Sequence, residues 1–198
     1  MHIGPLITVG KTNNRTGRYI QIPIQVPLPG IHNKIPWAIA INIATKQRQY
    51  NEWLANQIFE AARNDRSVLA LSDRINQLEV LKALVLEKFR VYGVNKTIGV
   101  YIGGKTKQQL HEASQANVVL GTFQMMSEGT DLPKLDSLIL CSPRSDVEQV
   151  CGRIQRDCPG KKPLLIVDPI LTSWRPFASV ANKRRFWFKK CGFVESKV

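Results

Sequence analysis

Residues 67–71 read Ser-Val-Leu-Ala-Leu, a short apolar run of the length expected for a strand buried on both faces. A helical pattern over Arg74–Arg90 follows it, because apolar side chains recur there on one face. That face comprises Ile75, Leu78, Leu81, Val85 and Phe89. A buried strand that leads into an amphipathic helix is the repeating unit of a parallel sheet covered by helices.

The same alternation continues along the chain. Further apolar strands are predicted at Thr97–Ile102, Val118–Gly121, Leu135–Leu140 and Leu164–Val167. Helices are predicted at Ala38–Arg63 and Pro176–Lys190, and a polar helix is predicted between the glycines at 103–104 and about Ala116. The pattern predicts an α/β protein, a parallel sheet with helices on both faces. Ligands of such sheets bind at the carboxyl ends of the strands, so the loops that follow strands are the candidate functional segments.

The N-terminal residues 1–36 differ from the rest. In Tyr19–Leu28, apolar residues alternate with Gln and Pro, which is the period of a strand. Pro23 and Pro27 cannot donate to a sheet ladder, so this segment is expected to be an edge strand or an extended arm. We interpret residues 1–36 as a β-arm and connector, and residues 37–198 as one α/β domain.

Composition narrows the class of partner. The 198 residues include 28 Lys and Arg against 15 Asp and Glu, so the formal net charge is +13, which favours a polyanionic partner such as nucleic acid. The four cysteines show no C-x-x-C spacing and the three histidines stand far from them, so no metal site is predicted. With no signal peptide or membrane-spanning run, we expect a reduced intracellular protein without a membrane partner.

The segment 149–156, Gln-Val-Cys-Gly-Arg-Ile-Gln-Arg, sets Arg153 and Arg156 three residues apart on a predicted helix. Residues at this spacing share a helix face, so both guanidinium groups are expected to point at one anionic target. Arginine is always charged, and its planar fork of donors matches phosphate oxygens. The pair therefore predicts a surface that approaches a nucleotide γ-phosphate from outside.

Three segments together resemble the second RecA-like domain of superfamily 2 helicases, the DEAD/DEAH-type translocases. Residues 68–74, Val-Leu-Ala-Leu-Ser-Asp-Arg, resemble motif IV of that family. Residues 119–133, which contain Ser-Glu-Gly-Thr-Asp-Leu-Pro, resemble motif V, and residues 149–156 resemble motif VI. The wording of motif V is similar to that of the phage and large DNA virus branch, which includes poxvirus transcript-release helicases. The resemblance implies a RecA-like parallel sheet.

The resemblance also implies roles for individual residues. Arg153 and Arg156 would be arginine fingers, and Gln149 would orient the same site. Gly129 and Asp131 would approach the ribose and phosphates of ATP, and Thr122 would contact the nucleic-acid backbone. ATP and Mg²⁺ would be bound mainly by a first RecA-like domain of the same polypeptide, and DNA or RNA would be the substrate.

A second motif competes with this interpretation. Residues 99–106, Gly-Val-Tyr-Ile-Gly-Gly-Lys-Thr, match the phosphate-cradling pattern G-x-x-x-x-G-K-[ST], and residues 164–168 resemble the strand that would carry a Mg²⁺-binding Asp168. A self-contained NTPase is thus an alternative. The apolar segment 100–102 favours instead a buried strand that bends at Gly103 and Gly104, so that Lys105 faces a nucleic-acid phosphate.

Several polar residues beside these motifs have simpler explanations. Ser72 and Asp73 are suited to cap a helix, and Arg74 is a candidate contact to the nucleic-acid backbone. Asp146 is expected to cap the motif VI helix, with Glu148 in its first turn.

The C-terminal segment 183–190, Lys-Arg-Arg-Phe-Trp-Phe-Lys-Lys, interleaves cations and aromatic rings. It predicts either a single-strand contact or a closing helix that buries Phe186 or Phe188, and a nuclear-entry signal is a further alternative.

No acidic D-E-x-[DH] motif occurs in the sequence. We therefore expect the C-terminal part of a longer helicase, inactive as an ATPase by itself and located in the cytoplasm, the nucleus or a viral replication site. A non-enzymatic nucleic-acid-binding module is the third alternative.

Overall fold

A seven-stranded sheet forms the centre of the computed structural model, which describes residues 17–29, 34–127, 132 and 134–196. Every strand pair in it is parallel, and the spatial order is β3-β4-β2-β5-β6-β1-β7. The strands are β1 (Arg18–Ile24), β2 (Val68–Ser72), β3 (Ile98–Tyr101), β4 (Val118–Thr122), β5 (Ser137–Leu140), β6 (Leu165–Leu171) and β7 (Val194–Glu195). The predicted parallel α/β sheet is confirmed.

Helices cover both faces of the sheet. They are α1 (Trp37–Thr45), α2 (Arg48–Arg63), α3 (Ile75–Val91), α4 (Lys107–Ser114), α5 (Phe123–Ser127), α6 (Glu148–Ile154) and α7 (Arg175–Lys190). Val68 and Ala70 of β2 pack with α1, α2 and α3, whereas Leu69 and Leu71 pack with α5 and α6. Because alternate residues of a strand point to opposite faces, the chain has two hydrophobic layers with the sheet between them.

The N-terminal strand belongs to this sheet. β1 pairs with β6 along its whole length, from Arg18 opposite Leu165 to Ile24 opposite Leu171, and Tyr19 is fully buried. The expectation that this segment stands outside the core is therefore wrong. The expected edge character holds for most of the strand, since β7 pairs with only Arg18 and Tyr19, and Pro23 is exposed.

Two helical predictions need correction. The helix predicted over Ala38–Arg63 is broken into α1 and α2, because Gln47 has an extended backbone and the Asn51 side chain donates a hydrogen bond of 2.9 Å to the Thr45 carbonyl. Ile75, predicted on the buried face of α3, is 42 % exposed, since it lies at the first residue of the helix, next to the surface.

No helix of the described residues is long and apolar enough to cross a membrane.

Candidate site at the carboxyl edge of the sheet

The loops that follow the central strands meet at one edge of the sheet. All four of these strands are parallel, so their carboxyl ends lie side by side. That edge carries Gly103 after β3, Thr122 at the end of β4, Asp73 after β2 and Ser142 after β5. The predicted segments IV and V are thus brought together, and the segment that leads to motif VI joins them.

Asp73 ties two of these loops together. Its backbone N–H donates to Ser142 Oγ at 2.9 Å, and its carboxylate accepts from Ser142 Oγ at 3.3 Å and from Arg144 Nη1 at 2.9 Å. The Arg144 guanidinium also lies 5.2 Å from the ring centroid of Phe123, the residue after Thr122. Loops from three strands are therefore held in one arrangement.

Arg144 was not predicted from the sequence as part of this site. Its partner Asp73 lies 71 positions away in the chain, so no local pattern connects the two residues. The one signal available was its position in a loop that follows a buried strand. Asp73 was expected to be a helix cap, which is wrong, because α3 is N-capped by Arg74 without a side-chain bond.

Ser72 and Arg74 hold the start of α3. Ser72 Oγ accepts from the Arg74 N–H at 3.0 Å and donates to Gln77 Oε1 at 2.6 Å, so it orders the start of α3, although its predicted role as the N-cap is wrong because Arg74 holds that position. The Arg74 guanidinium donates to Asn42 Oδ1 and, at 3.2 Å, to the carbonyl of Ala38. Arg74 lines a pocket of about 660 Å³ between α1, α2 and α3.

A second arginine–aspartate pair lies beneath the edge. Arg184 is 2 % exposed and Asp168 is fully buried, with Arg184 Nη2 2.7 Å from Asp168 Oδ1. Oδ1 receives no well-directed hydrogen bond, whereas Oδ2 accepts from Gln21 Nε2 at 2.8 Å. Arg184 also donates to the carbonyl of Arg144 at 3.2 Å, which supports the loop above. Asp168 therefore forms a buried ion pair with Arg184 and is not accessible to a metal ion.

The motif VI residues lie on and just after α6. Buried Val150, Cys151 and Ile154 anchor this helix to the sheet, and Gln149 is exposed on it. Arg153 is half-buried in its last turn. The helix ends at Ile154, so the prediction that both arginines lie on one helix is wrong.

Arg156 lies in the turn that follows α6, where it is exposed. Its N–H donates to the Arg153 carbonyl at 3.2 Å, so the backbone continues to turn after α6 ends. Lys161 Nζ donates to the carbonyls of Ile154 and Arg156, the latter at 2.7 Å, which fixes this turn. The contact of Lys161 was not foreseen from the sequence.

Motif V is described in part. Thr122 is half-buried, and its Oγ1 accepts from the Met125 N–H at 3.4 Å, which holds the start of α5. Gly129 and Asp131, the predicted nucleotide contacts, lie outside the described residues.

Residues 99–106 form a strand, a turn and a helix. Gly99 and Val100 belong to β3 and pair with β4, so their backbone groups serve the sheet and are not arranged to wrap a phosphate. The turn follows at Gly103 and Gly104, and Gly104 has φ +80°, which glycine adopts without strain. The favoured strand–turn–helix interpretation is confirmed, and the phosphate-cradle alternative is wrong.

The helix after this turn has its own cap. The Thr106 side chain accepts from the N–H of Gln109 at 3.2 Å, and the Gln109 side chain accepts from the Thr106 N–H at 3.0 Å. Lys105 is exposed just before the cap. Among the described residues there is no group of three or more His, Cys, Asp or Glu side chains able to hold a metal ion.

Two other predictions concern α6 and α7. Asp146 Oδ1 accepts from the Glu148 N–H at 3.4 Å, although the N-cap position is Val147, and Glu148 is in the first turn as expected. α7 buries Phe188 completely, which confirms a closing helix, while Phe186 stays 63 % exposed.

Solved structures of other proteins share this fold. The parallel sheet has a RecA-like fold, and its carboxyl edge brings together the segments predicted as motifs IV and V with the loop that leads to motif VI. T4 UvsW has this fold with a TM-score of 0.67 at 13 % identity, over 93 % of this chain and 42 % of that one. S. cerevisiae Dbp5, solved with RNA and ADP BeF3, gives a TM-score of 0.58 at 9 % identity, over 94 % of this chain and 42 % of that one.

Sequence relatives agree with the fold. A protein of Acanthamoeba polyphaga mimivirus that is named for an ATP-dependent RNA helicase is 26 % identical over 145 residues, 73 % of this chain and 27 % of the relative. One of Escherichia phage T5, named for a helicase, is 31 % identical over 154 residues, 75 % of this chain and 33 % of the relative. No protein-family model matches the chain.

The chain has the RecA-like fold of superfamily 2 helicase C-terminal domains and is related in sequence to proteins named for helicases of a phage and of large DNA viruses. It spans about a third or less of the length of these curated relatives, 27 % and 33 %.

Proposed function

We propose that this chain is the C-terminal lobe of an ATP-dependent nucleic-acid helicase or translocase, and that it completes an ATP site bound mainly by a first RecA-like domain. The observation that carries the proposal is the placement of Arg153 in the last turn of α6 and of Arg156 in the turn that follows, where Lys161 holds the backbone carbonyl groups. Guanidinium groups so placed match the charge that develops on a γ-phosphate.

The residues present fit the triphosphate better than they fit the metal. Two arginines offer planar donors to phosphate oxygens, whereas the described residues hold no carboxylate cluster for Mg²⁺. When bound, Mg²⁺ supplies charge neutralisation on the phosphates, and in this proposal the first domain holds it. Arg153 and Arg156 stabilise the transition state, Gln149 orients the same site, and Gly129 and Asp131 approach the ribose and phosphates.

The nucleic-acid contacts of the lobe lie along the same edge. The backbone of the nucleic-acid strand is contacted by Thr122, by the turn at Gly103 and Gly104, and by Lys105. Arg74 is a further contact. Closure on ATP and opening after hydrolysis then shift this grip along the strand. The substrate is DNA or RNA, and the protein works inside the cell, in the cytoplasm, the nucleus or a viral replication site.

The experiment uses the helicase polypeptide that joins this chain to an ATP-binding first domain. We expect Arg156→Ala to lower ATP turnover by about 10³- to 10⁵-fold while the Kd for nucleic acid changes little, because the arginine acts on developing charge in the transition state. Steady-state ATP hydrolysis and fluorescence anisotropy provide the two measurements.

Arg90→Ala is the matched control for Arg156→Ala. Arg90 is an exposed arginine that pairs with Glu87 on α3, outside the proposed site. ATP turnover of the control should equal that of the wild type. If Arg156→Ala also turned over ATP at the wild-type rate, the proposed arginine finger would be refuted.

A further inference from the structure

One face of α7 projects an aromatic ring that the fold does not use. Phe186 is 63 % exposed, while its near neighbour Phe188 is fully buried in the core. The Phe186 ring meets Trp187 edge-on, with centroids 5.4 Å apart and an interplanar angle of 72°. Packing against Trp187 therefore leaves most of the Phe186 ring accessible.

Trp187 is shielded from the other side. Lys190 Nζ lies 4.4 Å from the Trp187 ring centroid and 3.0 Å from Glu148 Oε1. The tryptophan is thus held by a cation–π contact that is itself anchored to α6. Trp187 acts as a rigid support, and Phe186 is the ring presented to solvent.

The cations beside Phe186 are available to a partner. Lys183 and Lys189 are exposed, and neither forms an ion pair with another described residue. Lys183 is one turn before Phe186 and Lys189 is three residues after it, so both flank the ring on the helix surface. Together with the net charge of +13, they favour an anionic partner.

A cleft of about 390 Å³ opens next to the ring. Its lining combines Phe186 and Trp187 with Lys183, Ser145 and Asp146. The Asp146 carboxylate disfavours a phosphate inside the cleft but accepts hydrogen bonds from the N–H groups of a base. The chemistry of the cleft therefore suits a flat ring with donor edges, and the flanking lysines suit the phosphates on either side of it.

We propose that this face of α7, formed by Lys183, Phe186, Trp187 and Lys189, binds single-stranded nucleic acid, with an unpaired base stacked on Phe186. Aromatic rings between cations bind single strands in this way without preference for sequence. The site shares its partner class with the proposed function and uses none of the same residues, so the two proposals can fail separately.

The experiment measures binding to the 198-residue chain by fluorescence anisotropy. Oligothymidylate, oligouridylate and an abasic oligonucleotide of equal length serve as probes. Phe186→Ala should weaken binding of a base-containing probe about tenfold, because it removes one stacked base. It should leave binding of the abasic probe unchanged, because the lysines that meet the phosphates remain. Phe186→Tyr should restore the lost affinity.

Tyr92→Ala is the matched control. Tyr92 is equally 63 % exposed, lies among basic residues at the end of α3, and packs on Phe59 with centroids 5.1 Å apart. Its replacement should change none of the affinities. A loss specific to bases at Phe186 with oligothymidylate or oligouridylate supports the proposal.

Three outcomes would overturn the proposal. One is an equal loss with the abasic probe, which would assign the site to phosphates alone. Another is an equal loss of affinity in Tyr92→Ala, which would show that any exposed aromatic ring on this surface contributes non-specifically to binding. The last is an unchanged affinity for all probes in Phe186→Ala, which would assign the exposed ring to a protein contact. None of these results depends on ATP hydrolysis.

Discussion

The edge of the sheet and the interior beneath it contain two arginine–aspartate pairs that behave differently. In the interior pair, the side chains of Arg184 and Asp168 are 2 % and 0 % exposed. In the edge pair, those of Arg144 and Asp73 are 38 % and 20 % exposed. A buried charge without its partner is costly, whereas a half-exposed pair exchanges readily with water. The interior pair is therefore expected to contribute more to the stability of the fold than the edge pair, which orders three loops at the surface.

Two glycines show the same difference. A Cβ atom built at Gly99 would lie 2.2 Å from the Ala113 carbonyl oxygen, so α4 can approach β3 only because that residue is glycine. A Cβ at Gly152 on α6 would meet nothing within 4 Å. The contact between β3 and α4 leaves no room for a Cβ atom, whereas the exposed face of α6 does.

The largest stability effect is expected from Arg184→Leu. This change leaves Asp168 charged and unpaired in the interior, so we expect a loss of about 3–5 kcal/mol in the free energy of unfolding, measured by urea denaturation. The double change Arg184→Leu with Asp168→Asn should recover part of that loss. An Arg184→Leu protein as stable as the wild type would remove the distinction between the two pairs.

Gly99→Ala should have the next largest effect. The added methyl group forces α4 away from β3, so we expect a loss of about 1–3 kcal/mol in thermal or urea unfolding. Gly152→Ala is the matched change at the edge, and it should be neutral or stabilise α6 by about 0.5–1 kcal/mol. Equal losses at both glycines would contradict the close approach at Gly99.

Asp73→Ala should cost about 1 kcal/mol or less, because its ion pair with Arg144 is partly solvated. Urea denaturation measures the change, and Glu87→Gln on α3, which removes an exposed pair with Arg90, should leave unfolding unaffected. A loss as large as that of Arg184→Leu would show that the edge pair is structural.

The smallest effect is expected in cysteine chemistry. A hydrogen bond from the Cys151 thiol lowers the pKa of Cys191, whereas that bond and burial raise the pKa of Cys151. The rate at which half-exposed Cys191 is alkylated follows its thiolate fraction. As the pH rises, this rate should therefore reach its plateau at a lower pH than that of an ordinary thiol with a pKa of about 8.5. Cys151 should stay unreacted while the protein is folded. Mass spectrometry of peptides after timed alkylation measures both, and faster labelling of Cys151 would reverse the assignment.

Local sequence patterns were enough to predict the central strands. Other parts of the fold depend on contacts between residues far apart in the chain, which those patterns do not show. β2, β4 and β5 follow from apolar runs because strands buried on both faces carry little else. The place of β1 in the sheet depends on pairing Arg18 with Leu165, which no local window contains. The break between α1 and α2 was missed because residues 45–49, Thr-Lys-Gln-Arg-Gln, contain no Gly or Pro to mark the end of a helix.

Some features of the candidate site were likewise predicted from the sequence, and others were not. The arginines of motif VI and the turn at Gly103 and Gly104 were predicted from spacing and composition. The bonds that position the edge were not, since Asp73 and Arg144 lie 71 residues apart in the chain, and Lys161 reaches back to a carbonyl group of α6. The sequence predicted which groups would face phosphate, whereas only the folded sheet shows which side chains hold those segments in place.

ATP turnover of the 198-residue chain, compared with that of a polypeptide that joins it to an ATP-binding first domain, shows whether the chain has a complete ATP site of its own. We expect no turnover by the chain alone, turnover by the joined polypeptide, and a loss of about 10³-fold or more on Arg156→Ala. Turnover by the chain alone that disappears on Lys105→Ala would contradict this expectation, because the chain would then own the ATP site that we assign to two domains.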